Sequence, residues 1–154
     1  MHSKELHEIL EQHKLWLDSG DKEGRQADFS GATLYCSNFR NSVLRRANLS
    51  GSDLEGSDLE YADLKGANLS GVNLSRTYLQ GANFEGAEGI LQWQSPLGQK
   101  RICYSVKHDR CIMHKLGCFW GTTEEAAEAI QKKYGEGSLY EKFLLMQVEA
   151  LEEE

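Results

Sequence analysis

The sequence predicts a β-solenoid with a helical cap before it and a small α+β module after it. Three observations carry this prediction. A five-residue phrase recurs twelve times without a break from Ala27 to Gly86. Its central residue is always Leu or Phe: Phe29, Leu34, Phe39, Leu44, Leu49, Leu54, Leu59, Leu64, Leu69, Leu74, Leu79 and Phe84. Two places earlier stands a small residue, mostly Ala or Ser, as in Ala47-Asn48-Leu49-Ser50-Gly51. A period of five fits neither a helix nor a flat strand, and its sustained repetition implies stacked coils.

Within each phrase an offset of two places the small and the large residue on the same side of an extended backbone. The large one fills the core and the small one leaves room for it. The fifth place, often Gly, lets the chain turn with positive φ. The phrase resembles that of the pentapeptide-repeat family, A-(D/N)-L-x-x, over about 60 of the 154 residues. The resemblance implies a right-handed quadrilateral β-helix in which four phrases make one coil. Residues 27–86 would then form about three coils, with residues twenty apart stacked. Arg40 would stack with Glu60 and Lys65 with Glu85, at a rung spacing of about 4.8 Å.

Some positions depart from the phrase. Val43, Tyr78 and Thr33 replace the usual Asp or Asn, and Cys36, Asn41, Arg46, Tyr61 and Arg76 replace Gly. Irregular exposed corners are where a contact surface can differ from plain scaffold. Arg40, Arg45, Arg46, Tyr61, Arg76 and Tyr78 are therefore the candidate partner-binding residues, weighed against neutral drift on solvated corners.

An open solenoid needs its ends covered. Residues 1–26 supply a helix and a linker. Leu6, Ile9, Leu10, His13, Trp16 and Leu17 follow helical spacing over residues 3–17, and Asp18-Ser19-Gly20-Asp21 stops the helix. The stripe is read as lying on the first coil, with a partner-binding helix as the alternative. This leader is similar to those of small phage and prophage members of the family.

Residues 87–100 leave the repeat at Gly89 and Ile90 and read as an irregular connector. Residues 101–154 read as a ββαα module. Ile102–Val106 and Cys111–Leu116 alternate around a turn at Lys107–Arg110, which is a β-hairpin pattern. Thr122-x-x-Glu125 and Ser138-x-x-Glu141 are capping boxes that open two helices. The first ends at Gly135, and the second carries Tyr140, Phe143, Leu144, Val148 and Leu151 on one stripe.

The chemical candidates are few. Cys111-x2-His114-x3-Cys118 has spacing compatible with zinc, with Cys103 or His108 as a fourth ligand. Against this, alternation along a strand turns Cys111 and His114 to opposite faces, and no knuckle pattern surrounds them. The expectation is therefore no cofactor, with structural zinc as the weaker reading. Asp28, Asp53, Asp58 and Asp63 occupy positions that the repeat fills equally with Asn, which does no acid–base work, so they are read as structural. No phosphate loop, nucleophile elbow or dinucleotide fingerprint appears. The chain is accordingly not read as an enzyme.

Net charge is −7 and is spread over all segments, so direct nucleic-acid binding is not expected. No stretch reaches membrane-spanning length, and the N-terminus does not read as a signal peptide. Four Cys without a secretory signal fit a reducing cytoplasm. The leading functional expectation is a non-catalytic interaction module, of a kind a phage would use to occlude a host or defence protein. One alternative is a DNA mimic that binds a topoisomerase. Three coils span only about 15 Å, so that reading needs a homodimer through the C-terminal module. Another is an oligomer that binds a nucleotide at an interface lined by Arg40, Arg45 and Arg46 or by Lys100 and Arg101.

Overall fold

A computed structural model describes residues 3–94, 102–107, 112–116 and 119–152. The chain forms two compact units, Met1–Glu88 and Gly89–Glu154.

In the first unit, parallel bridges join residues twenty apart, from Asp28–Asn48 and Thr33–Asp53 through to Asn68–Glu88. Four phrases therefore make one turn of the solenoid. The pairing is maintained by backbone bonds such as Leu49 N–H to the Asn68 carbonyl at 2.8 Å and Asn68 N–H to the Ala47 carbonyl at 3.0 Å. The central Leu and Phe residues from Phe29 to Leu79 are buried. Phe84 is only partly so. Ser52, Ser57 and Thr77 are buried where the phrase calls for a small residue.

Two side-chain habits explain the remaining positions. Where Asp or Asn precedes the large residue, it accepts the N–H two residues on, as Asp58 Oδ1 does from Glu60 at 2.9 Å and Asn73 Oδ1 from Ser75 at 2.9 Å. These are Asx-type turns, and either residue supplies the acceptor oxygen. Amides also reach back along the stack: Asn48, Asn73 and Asn83 donate to Asp28, Asp53 and Asp63. The Asp residues thus hold the turns, in line with their structural reading. The fifth position has positive φ at every one of the twelve corners, including Cys36, Asn41, Arg46, Tyr61 and Arg76 at 51–62°.

Helix α1 (Ser3–Asp18) belongs to this unit, and Leu6 and His13 are its buried residues. Ile9, Leu10, Trp16 and Leu17 are half-buried, which is the stripe read from the sequence. It is tied to the solenoid by Arg25 N–H to the Gln12 carbonyl at 3.1 Å and by Ala27 N–H to His13 Nδ1 at 3.0 Å.

The second unit is a four-stranded antiparallel sheet in the order β1-β2-β3-β4, followed by two helices. Its strands are β1 (Ile90–Gln94), β2 (Ile102–Lys107), β3 (Ile112–Leu116) and β4 (Phe119–Thr122). The helices are α2 (Thr123–Tyr134) and α3 (Leu139–Glu152). The expected hairpin is the β2–β3 pair, with Ser105 opposite His114. The ββαα reading needs correction at both edges. Part of the 87–100 connector is β1, which pairs with β2 from Ile90–Val106 to Gln94–Ile102. Phe119–Thr122 is a further strand on β3. Short runs beside Gly and Pro carry a weak strand signal of their own, and pairing to a neighbour supplies what local sequence does not.

Both expected helices form. Thr122 caps α2 with a complete capping box, and Gly135 ends it at φ 88°. At α3, Glu141 N–H meets Ser138 Oγ at 3.4 Å, while the Glu141 carboxylate accepts from Gly137 N–H at 2.6 Å. Cys103, Ala126, Ile130, Tyr140 and Leu144 form the core between sheet and helices. Among the described residues, no helix is long and apolar enough to cross a membrane.

Candidate functional site

The twenty-residue stacking gathers four of the six candidate partner-binding residues at one side of the solenoid. Asn38, Asp58 and Tyr78 are bridged in a single column, so residues 37–41, 57–61 and 77–81 share that side. Arg40 and Tyr78 lie on it, Tyr61 sits at one bounding corner, and Arg76 sits at the other. Tyr78 is 61% exposed and Tyr61 is 49% exposed, unusually open for aromatic side chains.

Their positions are fixed by neighbours in the stack. Arg40 hydrogen-bonds Glu60 and lies 3.6 Å from Asp58. The Glu60 hydrogen bond, assisted by the charges of Glu60 and Asp58, holds the guanidinium above its ordinary pKa. The same guanidinium lies 5.2 Å from the centre of the Tyr61 ring. Tyr61 in turn lies across Gly81, where an added Cβ would stand 2.5 Å from Tyr61 Cδ1. The pattern recurs at other corners: the Cys36 sulfur lies against Gly56, and Arg46 Cγ against Gly66. A glycine twenty residues on gives the bulky corner residue room to lie along the stack. Arg76 pairs with Glu55 at 3.3 Å.

Arg45 and Arg46 fall on the next side and its corner. Arg45 Nε is 3.7 Å from Asp63. Arg46 makes two 3.1 Å bonds to the Asp21 carboxylate and lies 4.5 Å from the centre of the Trp16 ring. Its backbone carbonyl accepts from Gln26 at 2.5 Å. Arg40, Arg45 and Arg46 therefore do not converge: each is committed to a different carboxylate. The stacked pairs Arg40–Glu60 and Lys65–Glu85 form as the twenty-residue register requires.

Two features were not singled out from the sequence as functional candidates. Tyr35 is exposed one side away, and the Cys36 thiol and then Glu55 hold its hydroxyl above the usual phenol range. The Trp16–Arg46–Asp21 cluster joins α1 to the first coil across 25 residues of chain, a pairing that no local pattern announces.

Of the zinc candidates, Cys111, Cys118 and His108 lie outside the described residues, as do Lys100 and Arg101. His114 is buried between two hydroxyls: Nδ1 is 2.8 Å from Ser105 Oγ, and Nε2 is 3.0 Å from Thr123 Oγ1. Burial pushes it down to about 4, so the ring is neutral near pH 7. With both nitrogens engaged, it has no lone pair directed at a metal in this arrangement. Cys103 is a buried thiol in the core, and Cys36 is an exposed thiol. Among the described residues no group of three or more His, Cys, Asp or Glu is placed to hold a metal ion.

The family model described as Pentapeptide repeats matches residues 25–60 and 57–88, in eight copies. Three solved structures illustrate the likeness. A pentapeptide repeat protein from the cyanobacterium Cyanothece 51142 is 36% identical, over 39% of this chain and 42% of that one, with a TM-score of 0.38. One from the thylakoid lumen of Arabidopsis thaliana is 41% identical, over 40% of this chain and 49% of that one, with a TM-score of 0.28. HetL from Nostoc, a pentapeptide repeat protein involved in heterocyst differentiation regulation, is 32% identical, over 49% of this chain and 37% of that one, with a TM-score of 0.16. In each case the match spans less than half of the related chain. No curated protein gives a significant sequence match.

Proposed function

Because this chain belongs to the pentapeptide-repeat family through residues 25–88, we propose that it is a non-catalytic protein-interaction module whose partner docks on the side carrying Arg40, Tyr61 and Tyr78. The carrying observation is the pair of exposed tyrosines beside Arg40 on one bonded, stacked side. Tyr and Arg are enriched among the residues that dominate binding energy at protein interfaces. Tyr61 is held by Gly81 and Arg40, so docking requires little side-chain ordering there. The mechanism is steric: a protein seated on this side has its own surface covered. Within this proposal the partner is a host or defence protein, the carrier is a phage-type genome, and the site of action is the cytoplasm. The phage-like leader read in the sequence motivates those finer steps.

The ion pairing of Arg40, Arg45, Arg46 and Arg76 does not favour a phosphate or nucleotide ligand, since each guanidinium already faces a carboxylate.

The test is capture from bacterial lysate with tagged wild-type protein and two variants. Tyr78→Ala removes the most exposed ring. Tyr61→Gly removes the other ring and places glycine where φ is 58°. A stoichiometric protein held by wild type and lost by both variants, with thermal stability unchanged or raised in Tyr61→Gly, supports the reading. Retention of that protein by both variants removes this side from consideration.

A further inference from the structure

The junction between α1 and the start of the repeat contains a titratable side chain with no access to solvent. His13 is 0% exposed. Its Nδ1 accepts a 3.0 Å hydrogen bond from the backbone N–H of Ala27, the first residue of the repeat. A ring nitrogen that accepts from an amide carries no proton, so the neutral ring must hold its proton on Nε2. Nε2 looks toward the Arg45 backbone but meets no partner in hydrogen-bonding geometry. One face of the ring stacks on Trp16 at 5.6 Å, with 18° between the planes. Arg46 covers that same indole and pairs with Asp21 of the linker.

We propose that His13 is a protonation-sensitive clasp that holds α1 on the first coil and releases it on acidification. A proton added at Nδ1 would point at the Ala27 N–H, replacing a hydrogen bond by two opposed donors. The imidazolium would also be buried, with the Arg46 guanidinium as the charged group acting on it from the solenoid. The Arg45 carbonyl favours the charged form, as does the face of the Trp16 ring, which Arg46 already occupies as a cation. The Asp21 carboxylate, which would offset the charge, is committed to Arg46. Burial first, and then Arg46, depress the His13 pKa below 6.5. A depressed histidine stabilises the docked state fully above 6.5, and that stabilisation is lost as pH falls below it. Releasing α1 would uncover its Leu6, Ile9 and Leu10 stripe and the edge of the first coil together.

The experiment is amide hydrogen exchange at Ala27, followed by NMR on the full chain at about pH 7.5 and about pH 5 and corrected for intrinsic exchange. Wild type is expected to lose protection at Ala27 on acidification, by up to about tenfold per pH unit between pH 6.5 and the lower His13 midpoint, and to level off below that midpoint. His13→Gln, whose amide oxygen can accept from Ala27 without titrating, is expected to show equal protection at both pH values. Equal protection in wild type at both pH values overturns the proposal, as does an unchanged acid response in His13→Gln. If that variant does not fold, the imidazole titration of His13 in wild type decides. Its midpoint must lie below 6.5 and Ala27 protection must fall between 6.5 and that midpoint; a midpoint at or above 6.5 overturns the clasp.

Discussion

Gly81 and Gly31 occupy equivalent corners, at φ 71° and 61°, yet they face different surroundings. A Cβ at Gly31 meets nothing within 4 Å, whereas one at Gly81 runs into the Tyr61 ring. Placing a non-glycine residue in the left-handed region costs about 1–2 kcal/mol, and overpacking adds about 1–3 kcal/mol. Gly81→Ala is therefore expected to lower stability to urea more than Gly31→Ala, by about 1 kcal/mol or more. Tyr61→Gly in the same chain should remove the difference. Equal losses at the two corners would show that Tyr61 does not lean on Gly81. The same comparison bears on the proposed interface, because the glycine is what holds the exposed ring along the stack.

At the scale of elements, β2, β3 and α2 are joined by a buried polar relay, Ser105–His114–Thr123. Hydroxyls can either donate or accept, so the relay survives in the neutral state with either ring tautomer. Its pH dependence follows from burial. The His114 pKa is pushed down from 6.5 to about 4. The unfolded chain thus takes up a proton first as pH falls. Stability of the second unit is expected to be full above pH 6.5, to decline below it and to level off near pH 4, a loss of about 3 kcal/mol. Urea unfolding across that range, compared with His114→Gln, measures this. A slope in the variant as steep as in wild type would assign the acid sensitivity elsewhere. The clasp at His13 shares the sign of this effect, but Ala27 exchange reports on it separately.

For the whole molecule, oligomeric state discriminates among the functions. A DNA-mimic reading needs a second copy, because a few coils at about 4.8 Å each imitate less than half a turn of duplex. α3 exposes Leu145 and Met146, a small apolar pair of the kind a dimer would cover. Sedimentation at increasing concentration is expected to give a monomer near 17.4 kDa, which leaves occlusion by a single solenoid side as the working mechanism. A stable dimer would restore the mimic to consideration.

The sequence by itself determined the solenoid. Its period, its Leu/Phe centres and its turning fifth residue are all local constraints, and each phrase restates them. The α1 stripe and the capping box at Thr122 were legible for the same reason: they are patterns within a few neighbouring residues. Only the tertiary structure decided where the irregular residues went. Arg45 and Arg46 follow one another in sequence, yet one pairs with Asp63 and the other with Asp21 and Trp16. Nothing within a phrase records which carboxylate lies above or beside it. The edge strands β1 and β4 were hidden likewise, since four or five residues beside glycines become a strand through the neighbour they pair with. His13 read simply as part of an apolar stripe. Its character as a buried acceptor of the first repeat amide arises from contact across fourteen residues, which sequence periodicity does not encode.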